Sequence, residues 1–239
     1  MIAQKTILLV EDETEIRKML KIFLDVEDFN VVEAVTGNDA LSKVAAVRPD
    51  LVVLDLGLPD IDGQDIIQIV RQFSNTPIIV LSARLDDKEV VRALHAGADD
   101  YVTKPFRAEN LLARINANFR NETVVTVEPF LENGPITIDL QRHEVLLDGT
   151  LMSFTPKEFS LLRLFVQNKG RIMGHKHILR EVWGPAHTDD MQYLRVYIGQ
   201  IRMKLEAING LGHSIKSASR LGYLMTALPS SPAKEVAAA

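Results

Sequence analysis

The chain has 239 residues, a formal net charge of −5 and no cysteine. This suggests one or two globular domains and excludes disulfides and thiolate chemistry. No apolar run approaches the ~18 residues of a membrane span, and MIAQKT leads directly into a strand pattern with no signal-peptide signature. A cytoplasmic protein without membrane contact is expected.

In chain order, strand-like runs fall at 6–10, 30–34, 51–55, 77–82 and 101–104. Ile16, Met19, Leu20 and Phe23 recur at helical spacing after the first run, and similar patterns lie near 37–46, 64–72, 87–96 and 107–119. Five βα units predict a parallel sheet with helices on both faces. Residues 121–132, NETVVTVEPFLE, break the pattern and read as a linker. Short strands follow at 135–139 and 144–147. Asp148-Gly149 is a hairpin turn, with its second strand running to about Phe154. Thr155-Pro156-Lys157-Glu158 opens a helix, with threonine as N-cap and proline at the first helical position. That helix stops before Gly170. Helices near 175–183 and 189–207 and a hairpin over 214–226, with Gly222 near its turn, complete the pattern of a winged helix. Domains are expected at 1–120 and 133–227, followed by a disordered tail over 228–239 that is low in large apolar residues.

Charge divides unevenly. Residues 1–120 carry a net −6, whereas Ser153–Thr226 carries 11 basic and 5 acidic side chains. An acidic half and a basic segment point to a nucleic-acid module in the second half.

Chemistry-bearing residues in the first half collect at strand ends. Glu11 and Asp12 follow Ile7–Val10, Asp55 follows Leu51–Leu54, Ser82 follows Ile78–Leu81, and Lys104 follows Tyr101–Thr103. In parallel sheets, sites lie at the carboxyl ends of strands. A carboxylate ending a buried strand is costly unless something uses it. Three converging carboxylates repel one another without a cation, and an oxygen-only ligand set favours Mg²⁺. Such a pocket supports in-line phosphoryl transfer to Asp55, with Lys104 and Ser82 holding phosphoryl oxygens. Singly, the Glu-Asp pair would serve as a helix cap and Lys104 as a turn residue; their joint placement favours a site. A flavodoxin-type loop is excluded by the anion-repelling Glu11-Asp12-Glu13. A haloacid-dehalogenase-type general acid is excluded because its position holds Gly57.

The first half resembles the receiver domain of bacterial two-component response regulators, a flavodoxin-like (βα)5 fold. The matching stretches are Val10–Glu13, Leu54–Asp60, Leu81–Arg84, Ala96–Tyr101 and Lys104-Pro105-Phe106. The resemblance implies that a sensor histidine kinase phosphorylates Asp55, with Lys104 and Ser82 as catalytic partners and Ser82 and Tyr101 as the switch pair. It also implies Mg²⁺ on Glu11, Asp12, Asp55 and the Gly57 carbonyl, and a cis Lys104–Pro105 peptide.

The helix near 189–207 has a core stripe of Leu194, Ile198, Ile201 and Leu205, and a basic, amide-bearing surface suited to a major groove. This half resembles the winged-helix effector domain of the OmpR/PhoB family, through Phe154–Phe159, Leu161-Leu162, Val182-Trp183-Gly184, Tyr193–Ile198, Ile201–Leu205 and Gly222-Tyr223. By that resemblance, Arg195, Val196, Gly199 and Gln200 face bases, while Tyr197, Arg202 and Lys204 contact phosphates. Arg220 replaces a wing-tip glycine and enters the minor groove. A phosphorylated homodimer would form through Val91, Leu94 and Ala113, with an Asp100–Arg114 ion pair, and bind double-stranded direct repeats beside RNA polymerase. A second family ion pair falls on the uncharged Val90 and Asn110, so this dimer is expected to depend more on apolar packing. DLGLPD, LSAR, VWGP and YLRVYIGQIRMKLE are nearest to the branch controlling a potassium-uptake operon.

The expected function is therefore a phosphorylation-switched transcription regulator. It is not an enzyme beyond slow autophosphorylation from small donors and autodephosphorylation. A slow acyl-phosphate phosphohydrolase is disfavoured by Gly57 and the basic half. A phosphorylation-independent DNA-binding protein is disfavoured by the intact acidic set.

Overall fold

The runs Ile7–Val10, Leu51–Leu54 and Ile78–Leu81 are apolar at every position, so a sheet built from them must be covered on both faces. The computed structural model describes residues 4–84, 86–119, 129–207, 210–219 and 221–229. It contains that sheet, with strands β1 (Thr6–Val10), β2 (Asn30–Ala34), β3 (Leu51–Asp55), β4 (Ile78–Ser82) and β5 (Asp100–Thr103). All pairings are parallel, in the order β2-β1-β3-β4-β5. The helices are α1 (Thr14–Val26), α2 (Gly37–Val47), α3 (Gly63–Arg71), α4 (Asp87–Ala96) and α5 (Ala108–Phe119).

Strand alternation sorts the core into two layers. Ile7, Leu9, Leu51, Val53, Ile79 and Leu81 pack with Leu20 and Leu24 of α1 and Leu111 and Ile115 of α5. Leu8, Val10, Val52, Leu54 and Val80 belong to the other layer, with residues of α2, α3 and α4. Met19, expected on the inner stripe of α1, is 48% exposed; Leu24 takes the core position.

The second half begins with β6 (Phe130–Asn133), β7 (Ile136–Asp139), β8 (Glu144–Leu147) and β9 (Thr150–Met152), an antiparallel meander. Asp148 and Gly149 turn the third hairpin with φ of 48° and 78°, as a two-residue turn of this type requires. Helix α6 (Pro156–Gln167) carries the full capping box, Thr155 with Glu158. Then come β10 (Met173–Gly174), α7 (His175–Trp183), a 3-10 turn (Pro185–His187), α8 (Met191–Glu206), a second 3-10 turn (Leu211–Ser214), β11 (Ile215–Ala218) and β12 (Gly222–Met225). The last sheet has the order β10-β12-β11. Gly222 has φ of 150°, and a Cβ there would lie 1.9 Å from the Met173 carbonyl oxygen. Only glycine lets β10 and β12 approach so closely.

Two boundaries differ from expectation. β6 begins at Phe130, inside the segment 121–132 read as linker, because Leu131 and Glu132 pair with Ile138 and Thr137. Residues 121–128 of that segment lie outside the described residues. Leu228, assigned to a disordered tail, donates its N–H to Asn133 Oδ1 at 2.9 Å and packs on the core. The rest of the tail from residue 230 lies outside the described residues.

The layer containing α4 continues into the C-terminal half without a break, and α4 packs against α8. Among the described residues, no helix is long and apolar enough to cross a membrane.

Candidate functional site

The carboxyl ends of β1, β3, β4 and β5 deliver Glu11, Asp12, Asp55, Ser82 and Lys104 to one pocket. Ligand oxygens of Glu11, Asp12 and Asp55 lie within 4.8 Å of one another. Lys104 Nζ donates to Asp55 Oδ2 at 2.9 Å and to Glu11 Oε1 at 3.1 Å. Burial opposes the Lys104 ammonium, but these two carboxylates outweigh it and hold the lysine pKa above its ordinary value. Glu11 is 0% exposed. Burial, together with Asp55 nearby, pushes its carboxyl up to about 7 despite Lys104. Its Oε2 is 2.9 Å from Lys104 Nζ, yet accepts no well-directed hydrogen bond. An oxygen-only cluster with one such lone pair open, and one carboxyl whose pKa burial and a neighbouring carboxylate raise, fits a hard divalent cation.

The loops around the pocket are held from below. Arg17, in the first turn of α1, donates to the backbone carbonyls of Glu11 and Asp12 at 2.8 and 3.0 Å. Gly57 N–H donates to Asp55 Oδ1 at 3.1 Å. Ser82 Oγ accepts from Arg84 N–H at 3.1 Å, and its hydroxyl is hydrogen-bonded to the Tyr101 side chain. Tyr101 is buried, and its hydroxyl donates to the Arg84 carbonyl at 2.9 Å. The Lys104–Pro105 peptide is cis.

From Tyr101 the hydrogen bonds continue across the domain boundary. β5 is an edge strand, so one side of its backbone lacks a partner strand. The Tyr193 hydroxyl accepts from Tyr101 N–H at 3.0 Å and lies 3.2 Å from both the Tyr101 carbonyl and Asp100 Oδ1, either of which can take its proton. Further along, α4 ends in carbonyls without helical partners. Gln200 Nε2 donates to the Leu94 carbonyl at 3.1 Å. The Tyr197 hydroxyl donates to the Ala98 carbonyl. Trp183 Nε1 donates to the Asp99 carbonyl at 3.3 Å. The Asp99 carboxylate is fully buried, taking Arg71 at 2.7 Å and Ile78 N–H at 2.9 Å, with Lys157 of α6 adding attraction across the seam.

This seam revises the expected roles of α8. Val196, Tyr197 and Gln200 are at most 9% exposed. With these residues facing the first domain, α8 cannot enter a groove in this arrangement. Arg202 donates from Nε and Nη2 to the Ile215 carbonyl at 3.1 and 2.8 Å. Lys204 pairs with the buried Glu158 and lies over Phe154. Both side chains therefore also serve inside their own domain. Arg195 is exposed and Gly199 half-buried, while Arg220 lies outside the described residues. Of the expected dimer surface, Leu94 and Asp100 are covered by the chain's own C-terminal domain, Val91 and Arg114 are partly covered, and Ala113 is exposed. Arg114 does pair with Asp100, at 2.7 Å, but within this seam. Val90 and Asn110, the two uncharged departures, line the cleft that Gln192 and Tyr193 enter. A charge at Val90, which is buried, would face desolvation there, whereas Asn110 is exposed.

Comparison with known proteins agrees with this geometry. Residues 7–116 match the model of the response regulator receiver domain, and residues 149–225 that of the C-terminal domain of transcriptional regulatory proteins. The transcriptional regulatory protein KdpE of Mycobacterium tuberculosis is 42% identical over 91% of this chain and 97% of its own length. The KDP operon transcriptional regulatory protein KdpE of Escherichia coli is 40% identical over the same shares. A solved RitR mutant superposes over 93% of this chain and 99% of its own, with a TM-score of 0.77 at 26% identity. The OmpR/PhoB homologue DrrB of Thermotoga maritima covers 94% of this chain and 100% of its own at 30% identity, but with a TM-score of 0.51.

Since Glu11 must ionise to bind a cation and its pKa is about 7, Mg²⁺ affinity should be about tenfold weaker at pH 6 than at pH 8, with proton release on binding. Calorimetric titration at the two pH values checks this; equal affinities would count against it.

Proposed function

The chain belongs to the OmpR/PhoB-type response regulators, and on that premise we propose that Asp55 is its phosphoacceptor and that the closed seam is its resting state. It is a two-component transcription regulator with a DNA-binding domain, not a classical enzyme. The observation that carries the proposal is the convergence of Glu11, Asp12, Asp55 and Lys104, with Lys104 2.9 Å from the acceptor oxygen.

Glu11, Asp12, Asp55 and the Gly57 carbonyl would hold Mg²⁺, which when bound screens the negative charge of an incoming phosphoryl group. The Asp55 carboxylate attacks phosphorus in line. A new P–O bond forms as the donor's bond to phosphorus breaks, and the leaving group departs with that electron pair. Lys104 neutralises one phosphoryl oxygen, and the Ser82 hydroxyl turns from Tyr101 toward another. That turn changes the Arg84 contact, and Arg84 in turn holds Tyr101. Tyr101 is the strand residue to which Tyr193 docks, so the path from acceptor to effector helix is a run of short hydrogen bonds. Phosphorylation thus favours an open state in which α8 reaches DNA and the α4–β5–α5 surface is free to pair with a second copy. On the duplex, Arg195, Gly199 and the uncovered Val196 and Gln200 read bases, Tyr197, Arg202 and Lys204 contact phosphates, and Arg220 enters the minor groove. Two effector domains then occupy direct repeats and recruit RNA polymerase in the cytoplasm. The kinship with KDP-operon regulators supports a potassium-uptake operon as the target.

A sensor kinase needs a docking face beside the acceptor. Met19, Ile22 and Val26 are 48%, 67% and 77% exposed, and their helical spacing places them on one outer stripe of α1, which starts at the pocket. An exposed apolar stripe so placed fits a helical partner.

Incubation with acetyl phosphate and Mg²⁺ should add about 80 Da, one phosphoryl group on a carboxylate, to the wild type and not to Asp55→Asn, as read by intact mass. Modification of both would sink the assignment. Ile22→Glu should slow phosphotransfer from the kinase at least several-fold while leaving acetyl-phosphate labelling unchanged. Equal slowing of both would place the effect in the pocket. Removal of one buried seam hydrogen bond by Tyr193→Phe should cost the closed state about 1–3 kcal/mol. It should tighten DNA binding by the unphosphorylated protein, and an unchanged mobility-shift titration would contradict the resting-state assignment.

A further inference from the structure

The seam contains a buried charge cluster that neither phosphoryl transfer nor DNA contact uses. His187, in the turn between α7 and α8, is 0% exposed. Its Nδ1 lies 2.7 Å from Asp190 Oδ2, and its Nε2 lies 3.0 Å from Asp100 Oδ2 of the other domain. A neutral imidazole has one N–H and can satisfy only one of two such carboxylates; the other would face a lone pair. An imidazolium satisfies both.

The remaining neighbours balance the same way. Arg114 of α5 pairs with Asp100 Oδ1 at 2.7 Å and also lies against the ring, 2.5 Å from Nε2 and 3.2 Å from Nδ1. As a donor and a cation it opposes protonation of the ring, against the two carboxylates that favour it. The Tyr193 ring, 5.3 Å away, presents its hydroxyl to Asp100 and stays un-ionised because burial holds its pKa high. Lys157 of α6 acts on Asp100 from further off. Among the groups in direct hydrogen-bond contact with the ring, two carboxylates face one guanidinium, so a proton on His187 balances that immediate set.

We propose that His187 is a proton-binding site that couples closure of the two domains to pH, so that closing takes up a proton and alkaline conditions open the molecule. The proposal rests on the closed seam and does not depend on which residue accepts phosphate. Burial lowers the affinity of the ring for its proton, but Asp100 and Asp190 outweigh burial, and the net shift is upward. The sign follows. A group whose closed-state pKa is raised stabilises the closed state fully below the ordinary histidine value, and that stabilisation is lost as pH rises through the closed-state value.

Trp183 is the chain's single tryptophan, buried at the seam, so its emission reports opening. The unphosphorylated full chain is titrated from pH 6 to pH 9 as wild type, His187→Gln and Asp190→Asn, with circular dichroism at each point. In wild type the emission should move to the red with rising pH, the opening constant growing by up to about tenfold per pH unit, with helix content unchanged. His187→Gln should show no such transition. Asp190→Asn, which changes a partly exposed residue and keeps the ring, should move the transition to lower pH. A flat wild-type trace, the same transition in His187→Gln, or an unmoved transition in Asp190→Asn would each overturn the proposal. The Asp190→Asn arm decides it should His187→Gln fail to fold.

Discussion

Backbone polar groups at one edge of the first domain organise this molecule. The last turn of α4, the carbonyls of Ala98 and Asp99 in the loop after it, and the open edge of β5 all face the second domain. Buried carbonyls and N–H groups left unsatisfied are expensive. Here Gln200 and Tyr197 of α8 donate to the Leu94 and Ala98 carbonyls, the indole of Trp183 donates to the Asp99 carbonyl, and the Tyr193 hydroxyl accepts from Tyr101 N–H. The domains share an apolar layer because these polar contacts fix where α8 lies against α4.

The same arrangement gives the acceptor pocket a mechanical output. Asp55 sits at the end of a strand whose side chains are all buried. It cannot move far, so a new charge there must be met by movement of groups nearby. Ser82 and Arg84 belong to the end of β4 and the loop beyond it, and Tyr101 leans on that loop. A rigid sheet thus concentrates the response in one loop and one edge strand, and that edge strand is where the effector helix docks.

Much of this was legible in the sequence. The apolar runs of β1 and β3, each followed or ended by an acid, and the lysine after β5 identified the end of the sheet that bears the pocket. Asp148-Gly149 and Thr155-Pro156 located the turn and the helix start by backbone requirements that few other residues meet. The seam was not legible. Tyrosine, glutamine and tryptophan donors are equally suited to base edges, phosphates or stray carbonyls, and nothing local says which they will meet. β6 was missed for a related reason: FLEN is too short to show alternation, and its strand character comes from pairing with Ile136–Asp139. His187 carries no periodic signal, and two of its charged neighbours, Arg114 and Asp100, lie 73 and 87 positions away.

The face that covers α8 consists of acceptor oxygens in a row beside two carboxylates, Asp99 and Asp100. A nucleic-acid groove likewise offers acceptors beside negative charge. With α8 as the proposed reader of DNA, the first domain would act as an intramolecular decoy, tethered to that helix and never diluted away. Any operator must compete with it, so the apparent affinity for DNA equals the intrinsic affinity reduced by the fraction of open molecules. Raising the gene dosage of the regulator would not saturate such a competitor, since each chain brings its own. Only an event that changes the seam can shift the occupancy of the operator out of proportion to the number of molecules.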